Sequence, residues 1–178
     1  MDQPAASELE LFHDLQRVQR LSLQASFGEP ALMAGLTGDG SLRESQRPPD
    51  GDWTIWAILA GRGFGKTHAG SEWVHARAAE AGKRIALVGA TLDAARAVMV
   101  EGESGLLARV PPGQQLTWTP SLRRITWSNG SEARLFSGGE PDSLRGGQFD
   151  YAWGDEFAHW ERAEATLINL RLATRLWM

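Results

Sequence analysis

The chain has 178 residues and a formal net charge of −4. That length gives one domain, or one domain and an arm, with enough chain to bury a real core, and the charge does not advertise a nucleic-acid binder. There is no cysteine, which excludes a disulfide framework and cysteine-ligated metal. No apolar run reaches the roughly 18 residues a membrane helix needs, and Met1-Asp2-Gln3-Pro4 is not a basic-then-apolar secretion signal, so a cytoplasmic protein is expected.

The first fifty residues divide in two. Ser7 to Ser22 carries apolar residues at Leu9, Leu11, Phe12, Leu15, Val18 and Leu21, a helical spacing, and Ser7 with Glu10 fits a capping box. From Phe27 to Asp50 the composition shifts to Gly, Pro, Ser and charge, which reads as an irregular arm or linker. The expected organisation is therefore an N-terminal helix and arm over 1–50 and a main domain over 51–178. Gln46 precedes Arg47-Pro48-Pro49. An amide ahead of a nucleotide loop can pair with a donor and an acceptor on the adenine edge; the alternative is a solvated loop glutamine.

The apolar, β-branched run Thr54-Ile55-Trp56-Ala57-Ile58-Leu59 predicts a strand, and His68 to about Ala81 a helix. Between them lies Ala60-Gly61-Arg62-Gly63-Phe64-Gly65-Lys66-Thr67. Strand, glycine-rich loop and helix form the context of a phosphate-binding loop. Its glycines turn backbone N–H groups onto phosphate oxygens at the positive end of a helix. Lys66 is expected on the β- and γ-phosphates, and the Thr67 hydroxyl on Mg²⁺. The usual pattern has Gly where Ala60 stands. Arg62, inside the loop, either steadies phosphate or pairs with a carboxylate.

Arg84 to Gly89 is a second buried strand, so a strand–helix–strand crossover of a parallel sheet is expected. Thr91 is placed to cap a helix through about Val100, with Asp93 in its first turn. Glu101 to Gly113 reads as loop. Three alternating stretches follow, Gln115–Thr119, Arg123–Ser128 and Ser131–Ser137, and Asn129-Gly130 predicts a two-residue hairpin between the last two.

The run Phe149-Asp150-Tyr151-Ala152-Trp153-Gly154 ends in the adjacent carboxylates Asp155 and Glu156. At the C-terminal end of a parallel strand such a pair faces the nucleotide edge of the sheet. Asp155 is expected to hold Mg²⁺ through water, and Glu156 to orient and deprotonate the attacking water. Arg145, on the glycine-framed loop Asp142-Ser143-Leu144-Arg145-Gly146-Gly147, suits the charge that spreads onto the γ-phosphate oxygens; the alternative is a surface pair with Asp142 or Glu140. The histidines show no ligand spacing, and the eight Trp read mainly as core and hairpin-face residues.

Together these residues resemble the ATPase domain of the large terminase subunit of tailed bacteriophages and gene transfer agents. The resemblance runs from about Gln46 to Leu172. Its most specific parts are Pro49-Asp50-Gly51-Asp52-Trp53, Gly61 to Thr67, Val100-Glu101-Gly102-Glu103-Ser104-Gly105-Leu106-Leu107, and Asp142 to Asp150 leading into Trp153-Gly154-Asp155-Glu156-Phe157. It implies a RecA-like P-loop NTPase: an α/β protein with a parallel sheet flanked by helices and an inserted antiparallel hairpin. It implies ATP and Mg²⁺ as cofactors and a ring-shaped motor that pumps double-stranded DNA into a procapsid. The implied partners are the portal protein, the small terminase subunit and further copies of the chain, in the bacterial host cytoplasm. The resemblance makes Arg62 characteristic and Arg145 a finger acting on a neighbouring subunit's ATP. Family members continue past the Glu161–Trp177 helix into a coupling strand and a nuclease domain. Here the sequence ends at Met178, so a fold truncated before the coupling motif is expected, with no nuclease activity in these residues. The other readings are a helicase-like ATPase, a small-molecule kinase, or a nucleotide-binding assembly module without turnover.

Overall fold

The computed structural model describes residues 42–51 and 53–174, in two compact units that part between Lys66 and Thr67. The helix expected over Ser7–Ser22 and most of the arm lie outside the described residues.

In the first unit a 3₁₀ turn, Glu44–Gln46, is closed by Gln46 N–H on Arg43 O (2.9 Å) and by Arg43 N–H on the Gln46 side-chain oxygen (3.0 Å). The Trp53 indole N–H donates to Pro49 O at 2.9 Å, and its ring lies 6.1 Å from that of Trp56. The strand expected over Thr54–Leu59 is not formed: none of the sheet's strands includes these residues, and Ile55 and Leu59 are exposed. A strand exists only where a neighbour completes its ladder of hydrogen bonds, and these residues have no ladder partner among the described strands. Among the described residues the strand–helix–strand crossover expected here is therefore not built.

The second unit is a five-stranded sheet, with strands β1 (Arg84–Gly89), β2 (Leu116–Thr119), β3 (Arg124–Trp127), β4 (Glu132–Ser137) and β5 (Tyr151–Gly154) in the order β2-β3-β4-β1-β5. β1 is central and parallel to both neighbours, with Leu87 opposite Leu135 on β4 and opposite Trp153 on β5. Five of its six residues are buried, which is why it reads as a continuous apolar run. The antiparallel strands lie in sequence between β1 and β5, as expected, and extend the same sheet. β2–β3–β4 form an antiparallel meander, but β4 is also the parallel neighbour of β1, so the sheet is mixed. The β3–β4 loop is longer than expected as well. Trp127 N–H bonds to Ser131 O at 2.9 Å, leaving Ser128, Asn129 and Gly130 as a three-residue loop with Gly130 at φ 85°. The Asn129 amide donates to Ala78 O (2.8 Å), capping a helix, while its oxygen accepts from Ser131 N–H (3.1 Å).

Helix α1 (Lys66–Ala78) packs closely against β5. A Cβ on Gly70 would stand 2.2 Å from the Trp153 ring, so only glycine permits this approach. Thr91 accepts from Ala94 N–H (3.1 Å) and starts α2 (Leu92–Ala94), as expected, but Ala95–Val100 continue as a π-helix. Its wider turn buries Ala95, Met99 and Val100 together. Helix α3 (Ala163–Ala173) buries Thr166, Leu170 and Ala173, an i, i+4, i+7 stripe. The core lies on both faces of the sheet. Ile85, Leu87, Ile125, Leu135 and Trp153 pack with α1 and the π-helix on one side. Ala86, Val88, Phe149, Trp160 and Leu170 form the other.

Candidate functional site

The phosphate-loop residues fall in the first unit, apart from Thr67. Arg62 and Gly63 form an exposed turn; Gly63 and Gly65 adopt φ of 76° and 87°, a left-handed backbone that side chains disfavour. α1 begins at Lys66. The Lys66 ammonium donates to Ala60 O (2.8 Å) and Gly61 O (3.2 Å), so two of its three donors are turned back onto the loop.

Gln46 is not a solvated glutamine: it is 1% exposed. Its amide nitrogen donates to Phe64 O (2.8 Å) and Gly65 O (3.4 Å), and its oxygen accepts from Arg43 N–H (3.0 Å) and Arg43 Nε (3.2 Å). The Arg43 guanidinium also donates to Phe64 O and lies 4.9 Å from the Phe64 ring centroid. Sequence reasoning missed Arg43. An arginine in a stretch rich in charge and glycine carries no local signal of a distant partner.

The acids Asp155 and Glu156 fall in the second unit, at the C-terminal end of β5 as expected. Asp155 N–H donates to Val88 O of β1 (2.9 Å), and its carbonyl accepts the Trp160 indole N–H (2.9 Å). The main chain of this acid is thus fixed on both sides. The buried Trp160 was also missed as a site residue. Glu156 sits at φ 49°, ψ 47°, a left-handed conformation costing a non-glycine residue roughly 1–3 kcal/mol. Its carbonyl accepts His159 N–H (2.8 Å), and its carboxylate stands 3.5 Å from His159 Nδ1. Sparsely populated backbone of this kind clusters where chemistry demands one orientation. Arg145 is exposed and pairs with Asp142 at 3.1 Å, a weak contact in solvent that a stronger anion can replace.

A second polar cluster links α1 to the loop after the π-helix. Ser71 Oγ donates to Ser104 O (2.6 Å), and His75 Nε2 meets Leu106 O (3.0 Å). His68 and Glu72 meet Arg109. Burial, above all, lowers both His68 and His75 below the usual imidazole range, so both favour the neutral form. Among the described residues no group of three or more His, Cys, Asp or Glu could hold a metal ion. Thr67 and Asp155, the residues expected to meet Mg²⁺, carry hard oxygens, the donor type that ion prefers. No helix among the described residues is long and apolar enough to cross a membrane.

A family model described as "Terminase large subunit, T4likevirus-type, N-terminal" matches residues 57–177. No curated protein matches the chain. Three of the similar solved structures are these. A mutant ATPase domain of the Thermus phage P74-26 large terminase is 25% identical, over 64% of this chain and 53% of that one, with a TM-score of 0.47. Another structure of the P74-26 ATPase domain is 20% identical, over 97% of this chain and 66% of that one, at 0.50. The large terminase of a thermophilic bacteriophage, in complex with ADP, is 18% identical, over 63% and 28%, at 0.52. The chain thus spans about half of the first of these structures and little more than a quarter of the ADP complex. The latter two likenesses are ones of fold.

Proposed function

This chain belongs to the family of large terminase subunits of the T4likevirus type, and from that we propose that it is the ATPase domain of a DNA-packaging motor, hydrolysing ATP to drive double-stranded DNA into a procapsid. The observation that carries the reading is the loop itself: Gly63 and Gly65 at positive φ, directly ahead of α1, with the Lys66 ammonium held over the loop carbonyls. Backbone N–H groups at a helix start, with a mobile cation beside them, form a polyphosphate receptor.

Bound ATP with Mg²⁺ supplies the scissile γ-phosphoryl group and the charge that holds it. Lys66 leaves its carbonyls for the β- and γ-phosphates. Gly61, Arg62, Gly63, Phe64 and Gly65 present the loop backbone, and Thr67 and Asp155 offer oxygen to the metal. Glu156 orients the attacking water and accepts its proton. Arg145 exchanges Asp142 for the γ-phosphate of a neighbouring copy, which makes turnover depend on a homo-oligomeric ring. The portal protein and small terminase subunit are the other proposed partners, in the host cytoplasm, in a phage or gene transfer agent.

The test is phosphate release from ATP and Mg²⁺ with double-stranded DNA, using the chain in its assembled motor. DNA-stimulated release that disappears in Glu156→Gln is the expected result. Phosphate moved onto a small acceptor, or tight ATP binding with no turnover under any condition, contradicts it.

A further inference from the structure

Two side chains, making three hydrogen bonds, converge on the backbone of the phosphate loop from 18 to 21 positions earlier in the chain. The Gln46 amide and the Arg43 guanidinium both donate to the single carbonyl of Phe64, which has two lone pairs to accept them. The Gln46 amide also reaches the next carbonyl, Gly65 O, at 3.4 Å. The Gln46 oxygen is saturated by Arg43 N–H and Nε, so neither end of this buried amide is idle. Arg43 adds a third hold by lying over the Phe64 ring.

We infer that Gln46 and Arg43 are positioning residues of the phosphate loop, setting its N–H groups toward the nucleotide phosphates by gripping its carbonyls from behind. The reason is the geometry of a planar trans peptide, in which the carbonyl and the following N–H point in opposite directions. All peptide bonds in the described structure are trans. Gripping Phe64 O therefore aims Gly65 N–H the other way, and gripping Gly65 O aims Lys66 N–H likewise. A guanidinium on a carbonyl is a charge-assisted bond that polarises the peptide, leaving Gly65 N–H a better donor to an anion. Glycine is free to rotate at Gly63 and Gly65, so a loop without this grip spreads over many orientations and binding must pay the ordering entropy. The assignment gives Gln46 a role in holding triphosphate of any base, in place of reading adenine. It rests on the proposed nucleotide-binding function.

The experiment is calorimetric titration of the chain with ATP, GTP and inorganic tripolyphosphate in Mg²⁺ buffer, with the ligand-free unfolding midpoint measured alongside. Gln46→Ala should weaken all three ligands by a common factor of roughly ten- to a hundred-fold, leaving the ATP-to-GTP ratio and the midpoint where they were. Gln46→Glu keeps the acceptor for Arg43 but cannot donate to Phe64, and should lose as much. Arg43→Ala should lose less, and the double variant less than the two losses combined, because both donors act on one carbonyl. Wild-type affinity for tripolyphosphate in Gln46→Ala overturns the inference. So does a loss confined to ATP, which would make Gln46 a base-reading residue. If Gln46→Ala unfolds early, Arg43→Ala decides by the same criterion, since it leaves Gln46 in place. A wild-type chain that binds none of the three ligands defeats the nucleotide-binding reading itself, which is a separate outcome.

Discussion

Leu87, in the middle of β1, is fully buried, faces Leu135 on one neighbouring strand and Trp153 on the other, and sits in a cluster that holds thirteen buried residues among those described. Gly65, in the phosphate loop, lies in no strand; Gln46 reaches its carbonyl and Gln46 and Arg43 hold the one before it. The second unit is thus fixed by ladder and core, and the loop of the first by a few directional contacts. A cooperative core opens only at a cost near the global stability, whereas a loop held by side chains opens locally. The difference bears on the proposed function: a loop held by side chains adjusts to a ligand at lower cost than a strand held in a core. It also means that chemistry, stability and nucleotide affinity should be separable by mutation.

The largest separation expected is in turnover. Glu156→Gln keeps the side-chain shape but cannot take a proton, so in the assembled motor ATP turnover should fall by roughly 10²–10⁴-fold, with ATP affinity and thermal stability retained. Normal hydrolysis by this variant would show that the water is activated elsewhere. Next comes the core. Leu87→Ala leaves a cavity at the centre of the sheet and should cost about 2–5 kcal/mol in urea unfolding, without altering nucleotide affinity below the transition. Gly70→Ala probes the contact between α1 and β5: its new methyl overlaps the Trp153 ring, and the expected cost is about 1–3 kcal/mol. A neutral effect would contradict this close approach of helix to strand.

The smallest effect is on pH dependence. His75 is buried, with Nε2 on Leu106 O, Nδ1 facing Gln114, its ring edge-on to Trp127, and the Glu72 carboxylate acting on it in the opposite sense to burial. His68 is buried against Glu72 and Arg109. Both titrate lower in the folded chain than their ordinary 6.5. Between the lowered value and 6.5 the unfolded chain binds protons that the folded chain refuses, so stability is full above that window and falls as pH drops through it. His75→Gln keeps a donor toward Leu106 O and should flatten this decline, read as the unfolding midpoint against pH.

What was legible in the sequence follows the same division. β1 was readable from Arg84-Ile85-Ala86-Leu87-Val88-Gly89 because burial on both faces writes a continuous apolar run. The Thr91 cap, the meander strands and the acid pair ending β5 were readable because each is a local pattern. The parallel pairing of β4 with β1 left no local mark, since it joins residues far apart in sequence. The hairpin loop gained a residue because Asn129 is used to cap α1, a tertiary demand that overrides the two-residue signal. Thr54–Leu59 had the composition of a strand but no ladder partner among the described strands. In the loop, the glycines, Lys66 and Thr67 were legible as a motif, while the grip of Arg43 and Gln46 on Phe64 was not, because side chain-to-carbonyl bonds have no spacing rule.

Whether this loop receives the phosphates of ATP, as proposed, is read by calorimetric titration of ATP with Mg²⁺ into the wild-type chain and into Lys66→Ala. Removing the ammonium that now rests on Ala60 O and Gly61 O should weaken binding by about 1.5–3 kcal/mol, the scale of a charged hydrogen bond, with the unfolding midpoint unchanged. Equal affinity in the two proteins would contradict the account.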